Sequence, residues 1–364
     1  MRIRLTAALA AVTVMGALVA GQAGQAKKQR LNTLIDLVEA RKPVFGLYAP
    51  RNGRAGGGGR AGAPGGAGAG AAATPPAAPA TPPVVKTPLD LAKDALAYDK
   101  SDFIFNGDME GGLERATGTA PIASFTEFVA ALGEAGALIK SPYPHFAHPL
   151  AVKTPKIAED PAKAIENISR QLNVGVSAIV FVGVESADEV KQGLAAMRFK
   201  SQGGTRPETV GTAPALWGMT EAQYKKKADV WPLNPDGELM NWTIVESKEG
   251  LKHVREIAAV KGISVLFPGA GTLRGVFSTT KMDAEGKPVL DANGRPVREF
   301  DEKGWEGALQ QVLDACKEFH IPCGYPATEN DIEMRMKQGF DFFIMNWGDP
   351  GFRAIDLGRK AAGR

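Results

Sequence analysis

Eight short apolar runs, separated by stretches with helical spacing, constrain this chain more than any other feature. The runs are Val44–Leu47, Phe103–Asn106, Ala137–Lys140, Ala178–Val184, Trp242–Val245, Ile263–Phe267, Ile321–Tyr325 and Phe340–Met345. Between most of them apolar residues recur every three or four positions, over Phe125–Leu132, Ala162–Leu172, Ala187–Met197, Leu251–Ala259, Trp305–Phe319 and Asp331–Lys337. A strand, a crossover helix and a parallel strand bring the chain back to the same end of a sheet. Eight such units in one core predict an α/β fold of the (β/α)8 TIM-barrel type. An open doubly wound sheet is the alternative. No G-x-G-x-x-G follows the first run, so nothing marks a dinucleotide site.

The chain has 364 residues and is 44% apolar, enough for one sizeable core. Met1–Ala26 joins Arg2 and Arg4 to an apolar run from Leu5 to Ala20 and a small-residue end, Gly24-Gln25-Ala26. That is the pattern of a secretory signal peptide, so the protein is expected to be exported, periplasmic or secreted. Losing it removes two Arg and no acid, which lowers the net charge from +3 to +1. A near-neutral surface argues against nucleic acid as a partner. No other run is long enough to span a bilayer, so no stable membrane insertion is expected.

Residues 27–49 supply the first helix and strand of the folded domain. Pro50–Lys86 is almost entirely Gly, Ala and Pro with a few Arg, and reads as a disordered insertion. Residues 87–364 supply the rest. Two further insertions follow repeat units and are candidates to overhang the active face: Phe199–Asp236, and Ser278–Phe300 with a hairpin turn at Asn293-Gly294. Cys316 shares a helix face with Leu309, Val312, Leu313 and Phe319, and Cys323 falls in the next apolar run. An exported protein could join them, but both are read as buried free thiols.

In this architecture reactive groups stand at the C-terminal strand ends. Asp108 and Glu110 follow the second run. Lys140 ends the third, with His145 and His148 just beyond. Glu185, after the fourth, reads as a helix cap. Asn241–Gly271 reads as strand, helix, strand, placing Glu246 at one strand end and the turn Pro268-Gly269-Ala270-Gly271 at the next. Asp108, Glu110 and Glu246 are candidates to hold Mg²⁺ or Mn²⁺, which would polarise a carbonyl and stabilise an enolate. Lys140 is a candidate for a substrate carboxylate and His145 for a base. His253 and His320 read as surface residues.

Several segments are similar to those of the HpcH/HpaI aldolase and citrate lyase family. They are Ser101–Glu110 (SDFIFNGDME), Val174–Gly193, Met197–Pro207 (MRFKSQGGTRP), Trp242–Gly271 and Phe340–Asp349. The likeness runs from about Leu31 to the C-terminus, insertions apart. It implies a metal-dependent class II enzyme that makes or breaks carbon–carbon bonds through a pyruvate enolate. It also implies a homo-oligomer, commonly a hexamer, that exchanges a C-terminal helix.

Residue by residue, Glu246 matches the first metal acid, and the second falls on Gly271 or Thr272. The catalytic His falls on Gly111, although Asp108 and Glu110 match the acids before it. The Gln two residues before the metal Glu is Ile244, and the substrate-binding Arg after strand three falls on Lys140. The expectation is therefore Glu246 and Glu110 as metal ligands and His145 with Asp108 for proton transfer. Lys140, Arg206, Gly269 and Ala270 are expected to hold a 2-oxo or hydroxy-oxo acid, a small-molecule carboxylate. Two alternatives stand beside it. One is a non-catalytic periplasmic binding or scaffold protein on a degenerate barrel. The other is metal-free chemistry at the same face.

Overall fold

The computed structural model describes residues 28–52 and 85–364. The leader at 1–26 and most of the Gly/Ala/Pro insertion lie outside the described residues. Eight strands repeat through the chain: β1 Val44–Tyr48, β2 Phe103–Asn106, β3 Leu150–Lys153, β4 Ala178–Phe181, β5 Leu239–Val245, β6 Val265–Pro268, β7 Gly324–Pro326 and β8 Phe342–Met345. All pair in parallel, in the order β7-β8-β1-β2-β3-β4-β5-β6, with a two-residue strand, Val230–Trp231, also on β5. The sheet curls. Its two ends meet at one parallel bridge, Leu266 with Cys323, where Leu266 N–H donates to Pro322 C=O over 3.0 Å. Ten helices are labelled here: α1 Thr33–Glu39, α2 Pro88–Ala97, α3 Pro121–Glu134, α4 Pro161–Val174, α5 Ala187–Met197, α6 Lys248–Lys252, α7 Val254–Ala258, α8 Glu302–Phe319, α9 Ile332–Gln338 and α10 Asp349–Ala361. Among the described residues no helix is long and apolar enough to cross a membrane.

Local sequence explains these elements. Helix α4 starts at Asp160, whose carboxylate accepts the Lys163 N–H over 2.9 Å, with Pro161 at the first position. It stops at Gly175, which takes the left-handed conformation (φ 109°). Strands of a parallel sheet are buried on both faces and read as continuous apolar runs. One set of side chains packs outward under the helices. The other fills the concave side with Phe103, Phe105, Trp242, Phe267 and Phe342. Gly324 leaves room there: a Cβ at that position would lie 2.1 Å from the Phe267 ring. Helix α1 closes the N-terminal end, with Leu34 and Ile35 packed against this aromatic set and Asn32 bonded to Glu238 just ahead of β5.

Three expectations change. The run 137–140 is not a sheet strand. Leu138–Ile139 pairs antiparallel with His145–Phe146 in a separate ribbon, and the third strand is the four-residue run Leu150–Lys153. The cysteines are bonded to each other: His320 turns the chain in a left-handed conformation (φ 55°) and brings Cys323 to 5.7 Å of Cys316, Cα to Cα. The segment 199–236 packs at the N-terminal end, where Trp217 Nε1–H donates to Gly175 C=O over 2.9 Å, whereas 278–300 follows β6 and lies on the C-terminal side. Helix α10 packs on its own sheet, with Gly358 against Phe45, and Arg359 and Arg364 pair with Asp102.

Asp341, beside the disulfide, accepts the Cys323 N–H over 2.8 Å, and burial pushes its carboxyl up to about 6 from the usual 3.8. The folded state then holds a proton that the unfolded chain has lost. Stability is fully present below the unfolded pKa and falls as pH rises toward the folded one. Urea unfolding between about pH 4 and about pH 6.5 is expected to show a loss on the order of 2 kcal/mol that Asp341→Asn lacks. An equal slope in that variant would remove Asp341 as its cause.

Candidate active site

The ends of β1, β2, β3 and β5 bring Tyr48, Glu110, Lys153 and Glu246 toward one another on the C-terminal side of the sheet. β3 ends on Lys153, whose side chain is 6% exposed as a residue and whose ammonium donates to Glu110 Oε2 over 2.8 Å. Its main chain is pinned as well: Lys153 C=O accepts from Gln171 Nε2 over 2.8 Å. Burial lowers the proton affinity of this amine. Glu110, Tyr48 and Glu246 raise it by more, so the group holds its proton more tightly than an ordinary lysine. Tyr48, at the end of β1, is pushed up by burial, with Lys153 opposing.

Glu246 follows β5 and is half-buried. It makes no ion pair or hydrogen bond through its carboxylate among the described residues. Two glycines lie close to it. A Cβ on Gly269 would lie 2.3 Å from Glu246 Cβ, and one on Gly183 would lie 3.7 Å from Glu246 Oε1 and 3.5 Å from Lys156 Cε. Glycine at 269 therefore permits the close approach of the β6 turn to Glu246. The other acids are paired: Asp108 with Arg51 at 3.0 Å, and Glu185 with Lys156 at 3.5 Å. Asn106 Nδ2 also donates to Asp108 over 3.1 Å. A cavity of about 290 Å³ opens beside the β1 and β2 ends, lined in part by Arg51, Asn106, Asp108, Arg115 and Ser124. Larger cavities, about 340 and 630 Å³, lie at the N-terminal end near Val38 and His320, away from this cluster.

The structure brings Asp108, Glu110, Glu246, Gly269 and Ala270 to this face. Ala270 is buried, and its carbonyl accepts the Trp305 indole N–H over 2.9 Å. It places three other expected residues elsewhere. Lys140 and His145 sit on the antiparallel ribbon, where Phe146 N–H donates to Leu31 C=O ahead of α1, at the N-terminal end of the sheet. Lys140 is exposed, and His145 Nδ1 meets the Tyr143 carbonyl at 2.8 Å. Arg206 is fully buried, stacked 4.1 Å over Phe199 and bonded to Asn173 and Tyr224. Its guanidinium is enclosed among Phe199, Asn173 and Tyr224. Lys140→Ala and His145→Ala are each expected to leave turnover within about twofold of wild type, because surface changes away from a site act on neither chemistry nor stability. A tenfold loss in either would restore the N-terminal face as a site.

Sequence reasoning missed Lys153 and Lys156. The signal was the run Pro149-Leu-Ala-Val-Lys153-Thr-Pro155, a short apolar stretch bounded by prolines and ending on a base. The cap after β4 is Ser186, which accepts the Glu189 N–H, and not Glu185.

Mg²⁺ or Mn²⁺ requires several hard oxygen ligands. No group of three or more His, Cys, Asp or Glu has metal-holding geometry among the described residues. Glu110, Asp108 and Glu185 are each committed to a base, and the β6 turn offers Gly271 and Thr272 in place of an acid. Only Glu246 remains, and two lysine side chains stand beside it. This donor set does not fit a divalent cation.

No family model matches the chain. A hydroxypyruvate/pyruvate aldolase of Paraburkholderia phytofirmans is 26% identical over 158 residues, which is 43% of this chain; the match spans 58% of that relative, under two thirds of its length. Among solved structures, an HpcH/HpaI aldolase/citrate lyase family protein of Burkholderia cenocepacia is 17% identical, with a TM-score of 0.56 and coverage of 91% of this chain and 98% of its own. An HpcH/HpaI aldolase of Desulfitobacterium hafniense is 15% identical, with a TM-score of 0.53 and coverage of 91% and 94%. The structural neighbours are HpcH/HpaI aldolase/citrate lyase family proteins, and this chain has their α/β fold with a curled parallel sheet.

Proposed function

We propose that the protein is an exported, aldolase-like carbon–carbon lyase acting on a 2-oxo or hydroxy-oxo acid, on a sheet closed into a (β/α)8 barrel through the Leu266–Cys323 bridge. The observation that carries the reading is a buried ammonium, Lys153, beside the unpaired carboxylate of Glu246 at the strand ends of an aldolase fold. Lys153 now occupies the basic position after strand three, where the resemblance puts a substrate-binding Arg. Export is supported by the leader pattern at Met1–Ala26 and by the Cys316–Cys323 bond, which suits an oxidising compartment.

The chemistry follows from these groups. The substrate carboxylate pairs with Lys153. Glu246 takes the proton of the C4 hydroxyl, the C3–C4 bond breaks, and its electron pair passes into an enolate with charge on the C2 oxygen. Return of a proton to C3 gives pyruvate and an aldehyde. Arg51 and Arg115, beside the 290 Å³ cavity, suit a second fragment that bears an anionic group. The test is a screen of 4-hydroxy-2-oxo acids for pyruvate release by the full chain, with Glu246→Gln as control. Release by wild type alone supports the reading. Equal background from both, with ligand-induced stabilisation and no turnover, would favour the binding-protein alternative.

A further inference from the structure

We propose that the ammonium of Lys153 takes the place of the divalent cation in this site, facing both the carboxylate and the C2 oxygen of a 2-oxo acid, so that the protein works with no bound metal. The inference rests on the reading above and goes beyond it in naming what stabilises the enolate.

Three observations carry it. First, the ammonium is fixed. Its stem packs along the β2 end, where a Cβ on Gly107 would lie 3.7 Å from Lys153 Cδ and 3.6 Å from Tyr48 Cε1, and its carbonyl is tied to Gln171. A preorganised charge costs little rearrangement when the reaction develops negative charge beside it. Second, it has donors to spare. An ammonium carries three N–H groups, and one of them is used, on Glu110. Glu110 is 34% exposed on its side chain and can turn to water when an anionic substrate arrives. Third, the carboxylates that would hold a metal are otherwise engaged. A dication beside Glu246 would stand against Lys153 and Lys156 with one free protein carboxylate as ligand.

The experiment uses the full chain and two probes: oxalate, a planar dianion shaped like the pyruvate enolate, and Mn²⁺ alone. Calorimetric titration is expected to show oxalate affinity unchanged within about twofold by excess EDTA, and no Mn²⁺ binding above background. Lys153→Met is expected to weaken oxalate by about a hundredfold, and Lys153→Arg to restore most of it, as for a charge-assisted contact. Thermal melts of both variants establish that they fold, and the EDTA comparison on wild type needs no variant. Oxalate binding that appears only with Mn²⁺, or that survives Lys153→Met, overturns the inference and leaves the lyase reading standing. A stable adduct on Lys153 after pyruvate and borohydride also overturns it, because the amine would then act as a nucleophile. Failure to bind oxalate in any condition, with no pyruvate release from any substrate, overturns both.

Discussion

Glu246→Gln is expected to lower turnover of a 4-hydroxy-2-oxo acid by about 10²–10⁴-fold, the range supplied by a positioned general base. The change keeps the shape of the side chain and removes only its ability to take a proton. Glu246 has no ion pair among the described residues, so little folding energy is lost, within about 0.5 kcal/mol for such a site. On the proposed reading the substrate carboxylate pairs with Lys153, so KM is expected to move little while kcat collapses. Steady-state kinetics on wild type and variant check this. A kcat within about fivefold of wild type would remove Glu246 from the proton transfer. The neighbouring glycine gives an independent handle: a methyl at Gly269 would collide with the Glu246 side chain at 2.3 Å, so Gly269→Ala displaces the same carboxylate without altering it.

The second large effect is on stability. Trp242 fills the concave side of the sheet and is fully buried. Its indole lies edge-on to Phe103 at 4.9 Å and Phe342 at 4.7 Å, parallel to Phe105 at 6.2 Å, and 6.0 Å from Phe267. Aromatic contacts of this kind add to the burial of a large apolar surface. Trp242→Ala leaves a cavity that the surrounding rings, held by three strands, cannot collapse into. The expected cost is about 3–5 kcal/mol, measured by urea unfolding. Trp242→Phe is expected to cost far less, about 1 kcal/mol, because the indole N–H has no hydrogen-bond partner among the described residues and its removal ends an unpaired buried donor. A Trp242→Phe loss as large as that of Trp242→Ala would show that relief of the unpaired indole N–H does not offset the lost packing.

Much of this architecture is legible in the sequence because strand ends control what reaches the active face. The boundaries of β2 and the end of β5 are readable from apolar runs; Glu246 directly follows β5, and Glu110 lies in the loop after β2. The third strand was not readable in the same way. Leu150–Lys153 has four residues between prolines, whereas Ala137–Lys140 has the same apolar look and forms a ribbon at the other end. That single displacement puts Lys140 and His145 at the N-terminal end of the sheet and Lys153 at the C-terminal end. Arg206 eluded the reading for another reason. Arginine is rarely buried whole, and nothing local announces that Phe199 and Tyr224 will enclose it. The disulfide depends on a left-handed turn at His320, a conformation uncommon for a residue other than glycine and not evident in the helical pattern before it.

Proton exchange tests most directly whether this strand-end cluster forms a pyruvate enolate, as proposed. Pyruvate in D2O with the full chain, followed by proton NMR of its methyl group, is predicted to lose that signal faster than with an inert protein, and to do so through Glu246, so that Glu246→Gln returns the rate to background. A methyl signal that persists with wild-type protein, under conditions where pyruvate or oxalate binds, would contradict the account and leave a binding protein on an aldolase fold.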